Sequence, residues 1–113
     1  MKDYIELLII PNDKFVAYIN RGVVLSTLQD YQEALKAFNQ ALEINSKSGE
    51  AYQARGALYF KLKENKKSLK DLEKALKLFE EQKNMSSYVR TQLLMKSLHN
   101  KPIPKHSLFN HCS

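Results

Sequence analysis

Apolar and small residues recur along the chain at three- and four-residue steps. Tyr18, Gly22, Leu25 and Leu28 mark one such run, and Ala34, Leu35, Phe38, Ala41 and Leu42 mark a second. That spacing gathers them on one face of a helix and leaves polar residues on the other. Between the runs lies "LQDYQEA", a short polar stretch suited to joining antiparallel neighbours. The pattern therefore predicts an αα-hairpin of two amphipathic helices, A and B. With three glycines, three prolines and an abundance of Leu, Lys, Ala, Glu and Gln, the expected fold class is all-α.

The hairpin is written twice. At an offset of 34, Ala17/Ala51, Tyr18/Tyr52, Arg21/Arg55, Gly22/Gly56, Leu28/Leu62, Leu35/Leu69, Lys36/Lys70, Ala41/Ala75 and Leu42/Leu76 are identical. Chance gives roughly two identities over such a window. The second turn is "LKENKKS". A period of this length predicts hairpins stacked into an αα-hairpin superhelix, a solenoid. Gly22 and Gly56 fall inside helix A, where glycine costs about 1 kcal/mol against alanine. Their recurrence in register points to close approach of helix B, expected at the small residues Ala34 and Ala41 in one copy and Ser68 and Ala75 in the other.

A large aromatic, then Gly, then an aromatic or aliphatic residue in helix A, followed by Ala, an aromatic and Ala in helix B, is the pattern by which the chain resembles the tetratricopeptide repeat (TPR) family. Tyr18, Gly22, Leu25, Ala34, Phe38 and Ala41 carry the pattern first; Tyr52, Gly56, Tyr59, Ser68, Leu72 and Ala75 carry it again. The resemblance covers residues 15–82. It departs at Ser46 and Glu80, where the family often has proline. The expected organisation is a partial N-terminal helix and turn (1–14), repeat 1 (15–48), repeat 2 (49–82), a capping helix (83–99) and a flexible tail (100–113). In the capping helix, Tyr88 aligns with Tyr52 at an offset of 36, which puts Gln92 at the glycine position. "YIELLIIPND" reads as the remnant of a preceding helix B.

The resemblance also implies a site. The family's ligand contacts line a concave groove built from A helices, and here they fall on Val16, Ile19, Asn20, Val23 and Thr27, then Gln53, Ala57, Phe60 and Lys61, then Arg90 and Leu93 of the capping helix. The family's clamp for chaperone C-termini needs a lysine and two asparagines where this chain has Ile19, Val23 and Ala54. The groove's apolar composition instead predicts a partner protein presenting an apolar or amphipathic helical segment. An open apolar face also predicts self-association, with Leu8, Ile9, Ile19 and Val23 covered by it.

Charge adds a rival surface. Residues 1–48 carry a net −1 and residues 49–113 a net +7. Seven lysines fall within residues 61–77, and Lys63, Lys66, Lys70, Lys74 and Lys77 recur at three- and four-residue steps along helix B of the second copy. Such a stripe can meet nucleic acid or an anionic partner. The plainer reading is a solvated face diluted by Glu64, Asp71 and Glu73. No aromatics interleave with the lysines in sequence to stack on bases, so nucleic acid is not the expected partner.

Candidate chemistry is sparse. The chain has no phosphate-binding glycine loop, zinc-protease signature or nucleophile elbow, and neither an enzyme nor a cofactor is expected. His99, His106, His111 and Cys112 cluster without the paired spacing of a structural zinc site, so no metal is expected. The lone cysteine fits a reducing cytoplasm. "MKDYIELLII" matches neither a secretory leader nor a membrane span, so no membrane insertion is expected.

Overall fold

The computed structural model describes residues 11–100. The candidate helix remnant with Leu8 and Ile9, the tail, and the side chains of His99, His106, His111 and Cys112 lie outside what it describes. Among the described residues there are five helices and no strand: α1 (Pro11–Thr27), α2 (Tyr31–Ile44), α3 (Gly49–Lys61), α4 (Asn65–Glu81) and α5 (Met85–Asn100). The helices pack in sequence, α1 on α2, α2 on α3, α3 on α4 and α4 on α5. In addition α1 touches α3, and α3 touches α5. The odd-numbered helices therefore line one side of the array, with α2 and α4 behind them. Residues 11–14, expected in a turn, are helical. Proline is compatible with an opening helical turn, whose N–H groups have no intrahelical partner.

Helix B buries one face in both copies: Ala34, Ala37, Phe38 and Ala41 in α2, and Ser68, Asp71, Leu72 and Ala75 at the same register in α4. The glycines explain how closely A and B approach, but the side chains facing them are not the alanines expected from sequence. A β-carbon at Gly22 would meet the Phe38 ring, and one at Gly56 would meet Leu72, whose Cδ2 is 2.8 Å from that point. Without a β-carbon, the helix A backbone becomes a flat seat for the largest side chain opposite it. The expected Ser68 contributes differently, donating its hydroxyl to the Gly56 carbonyl at 2.7 Å. Gly49 repeats the device against Phe79.

The turns are made without glycine. After α1, Gln29 N–H bonds Ser26 O and Asp30 N–H bonds Leu25 O, the paired bonds of a Schellman cap. Lys63 with Glu64, and Lys83 with Asn84, repeat it after α3 and α4. The residue in the left-handed region is Gln29, Lys63 or Lys83, at φ 67°, 63° and 59°. At the junction of the two repeats, Ser48 caps α3 by accepting a bond from Ala51 N–H at 3.0 Å.

The core joins the repeats. Ala34 and Phe38 of α2 and Leu58 of α3 form one buried cluster, with Ile19, Leu25 and Leu62 packed against it. Leu28, expected on the buried stripe, is 69% exposed. Its counterpart Leu62 packs on the preceding hairpin, whereas none of the described residues stands in that place for Leu28. In α5, Gln92 is exposed, and among the described residues no further helix lies against it.

Candidate functional site

The side of the array lined by the odd-numbered helices holds two adjoining cavities between α1 and α3. One, of about 450 Å³, is lined by Val16, Ile19, Asn20, Val23, Gln53 and Ala54, with Phe15 and Glu50 at its edge. The other, of about 190 Å³, is lined by Val23, Ser26, Thr27, Ala57 and Lys61, with Phe38, Ala54 and Leu58 beneath. Val23 and Ala54 belong to both, so the two form one trough. Eight of the groove residues inferred from sequence, Val16, Ile19, Asn20, Val23, Thr27, Gln53, Ala57 and Lys61, thus meet in one place. Phe60 and Arg90 line neither cavity. Leu93 sits apart, with Leu76, Val89, Gln92, Met95 and Lys96 around a third cavity of about 420 Å³.

Val16 and Val23 at the trough, and Val89 and Leu93 at the third cavity, are large apolar side chains left exposed. Polar contacts tie the helices beneath them. Gln53 donates its amide N–H to Thr91 Oγ1 at 3.0 Å, linking α3 to α5, and Thr91 in turn donates to Ser87 O at 2.8 Å. Lys61 reaches Ser26 Oγ at 3.5 Å, linking α3 back to α1. The trough therefore has a braced floor and apolar walls.

Sequence reasoning missed the polar centre of the second hairpin. Arg55 Nε donates to Asp71 Oδ2 at 2.7 Å and Arg55 Nη2 to Asp71 Oδ1 at 2.9 Å, a two-point pairing. Arg55 Nη1 donates to Asn39 Oδ1 at 2.8 Å, so one guanidinium joins α2, α3 and α4. The hydrogen bond to Asp71 and its charge raise the pKa of Arg55 against the opposing effect of burial. Asp71 is only 5% exposed and points inward, so it does not dilute the lysine stripe as expected. The signal was available: Asp71 occupies the buried register position that Ala37 holds in the first copy.

The stripe is also not free of aromatics. Lys67 Nζ lies 5.6 Å from the Tyr59 ring centre and Lys74 Nζ 5.9 Å from that of Tyr52. Helix α3 supplies in space the rings that the lysine stripe lacks in sequence. Tyr52, Arg55 and Tyr59 with Lys67, Lys70, Asp71 and Lys74 border a cleft of about 480 Å³.

Among the described residues, no group of acidic, histidine or cysteine side chains is placed to hold a metal ion, and no helix is long and apolar enough to cross a membrane. Hairpins stacked A against A, with glycine seats for the bulky residue of helix B, define an α-solenoid. Residues 13–81 match the tetratricopeptide repeat family, and the chain belongs to it. It is similar to sperm-associated antigen 1 of Rattus norvegicus, 33% identical over 86 residues that make up 76% of this chain and 9% of that protein. Repeats of this family generally mediate protein–protein interaction.

Proposed function

We propose that the chain is a non-catalytic interaction module whose trough between α1 and α3 receives an apolar or amphipathic helical segment of another protein. The observation that carries this reading is the continuity of the trough through Val23 and Ala54, with Val16 and Val23 exposed on its walls. A helix laid in such a trough buries apolar anchors at three- and four-residue intervals and needs few fixed charges from its host. Ile19 and Val23 stand where a carboxylate-gripping groove would carry polar side chains, which favours an apolar ligand over a charged chain terminus.

A photo-crosslinking side chain at Val23 tests this in the native cell. The expected product is a crosslink to an amphipathic segment of a different protein, lost when Ile19 is changed to Asp. Crosslinks confined to a second copy of this chain make the trough a self-association surface and overturn the reading, as does a product whose crosslinked segment is charged throughout.

A further inference from the structure

The cleft bordered by Tyr52, Arg55 and Tyr59 of α3 and Lys67, Lys70 and Lys74 of α4 is separate from the trough. At about 100° per residue, Tyr52, Arg55 and Tyr59 lie roughly 165° around α3 from the trough residues Gln53, Ala57 and Lys61. We propose that this cleft is a second binding site, and that it takes an acidic stretch of polypeptide.

Three observations support that ligand. First, the site carries uncompensated positive charge. Asp71, the acid that borders the cleft, is turned inward and held by Arg55 at two points. Among the described residues none of Lys67, Lys70 and Lys74 has a carboxylate partner. Like charges three and four residues apart oppose the helix they stand on, and an anion between them removes that opposition. Second, the lysines have a defined place. Lys67 and Lys74 lie over the rings of Tyr59 and Tyr52, which draws the ammonium groups to the mouth of the cleft. Third, the repeat architecture does not require the full site. At the same register the first hairpin keeps Tyr18, Arg21 and Lys36 but has Leu25, Glu33, Ala37 and Gln40 in place of Tyr59, Lys67, Asp71 and Lys74. Two of the three lysines and one of the rings are confined to the second copy.

A polypeptide fits better than a nucleic acid. Arg55 lies 5.7 Å and 5.8 Å from the ring centres of Tyr52 and Tyr59, so each ring already has two cations over it. Sequence-tolerant binding of single strands depends on ring faces left open to bases. Carboxylates on flexible side chains need no such face, and a cleft of about 480 Å³ has room for more than one of them.

The test is titration of the full chain with a labelled peptide of alternating Glu and Ser, with the Gln-for-Glu peptide and oligouridylate as the other arms. The Glu peptide is expected to bind, and to bind more weakly as salt rises from about 0.05 to 0.3 M. The variant K67Q/K70Q/K74Q should lose about tenfold or more in affinity, and K67R/K70R/K74R should keep it. K14Q/K36Q/K47Q, with the same change in net charge, should bind as the unaltered chain does. The proposal is overturned if the Glu peptide does not bind, if the Gln peptide binds equally, or if both glutamine variants lose affinity alike. It is also overturned if oligouridylate binds more tightly than the Glu peptide and displaces it.

Discussion

The ring of Phe38 lies across Gly22: a β-carbon at that glycine would stand 2.6 Å from Phe38 Cδ1 and 2.8 Å from Cζ. Phe38 is 2% exposed. Gly22→Ala adds about 1 kcal/mol of helix propensity but forces an overpacking that costs about 1–3 kcal/mol. The expected result is a net loss of up to about 2 kcal/mol in urea denaturation. Gly56→Ala should be milder, because it meets the branched tip of Leu72 instead of a rigid ring. A Gly22→Ala protein at least as stable as its parent would show that the ring is not seated there.

The Arg55–Asp71 pair has one largely buried carboxylate, and stranding it is expensive. Arg55→Ala should cost about 2–3 kcal/mol, below the range for a fully buried pair because the arginine side chain is 22% exposed. The double variant Arg55→Leu/Asp71→Ala should recover most of that loss, since an apolar pair can replace a buried ion pair at little cost. The raised pKa of Arg55 places this contribution fully below the ordinary arginine range, to be lost only above it. Titrating from neutral to mildly alkaline pH should therefore not weaken the pairing. Equal melting temperatures for Arg55→Ala and the double variant would contradict the pairing energetics.

Gln29, Lys63 and Lys83 hold left-handed backbone that costs a residue with a β-carbon about 1–2 kcal/mol. Glycine removes that cost but gains freedom in the unfolded chain worth up to about 1 kcal/mol. Each change to glycine should thus raise stability by up to about 2 kcal/mol, with the three effects adding because the turns lie in separate places. Thermal melts of the single and triple variants check it. A fall in stability would mean that the side chains contribute more than the backbone conformation takes away.

Leu58 belongs to the second repeat but sits in a cluster with Ala34 and Phe38 of the first. Leu58→Ala should cost about 2–4 kcal/mol. Amide exchange should then speed up in α1 and α2 as well as in α3 and α4. Acceleration confined to residues 49–81 would show that the repeats hold together separately.

The helix pattern was legible because it repeats: Gly22 and Gly56 in register, with Phe38 and Leu72 sixteen residues after each, announce a close helix pair before any coordinates. Which atoms approach was not legible. Periodicity places Ala34 and Phe38 on the same face and cannot say which one lies over the glycine. Eight of the residues assigned to the groove do meet around one trough, since A helices packed side by side bring equivalent positions together. Leu93 does not join them, because α5 is one helix further along and borders a cavity of its own. The cationic cleft escaped notice for a different reason. Its lysines and tyrosines come from different helices, so reading α4 alone shows a charged stripe, and reading α3 alone shows Tyr52 and Tyr59 only as residues of the repeat pattern.

Gln92 stands on α5 at the register that Gly22 and Gly56 occupy on α1 and α3, and it is exposed. A glycine there lets the neighbouring helix settle onto bare backbone; a glutamine holds it off by the length of its side chain. For an engineer adding hairpins to this scaffold, the splice point is therefore a single codon. Gln92→Gly would convert α5 from a face that resists another helix into one shaped to accept it, and the bulky residue chosen opposite would set the pitch of the extension.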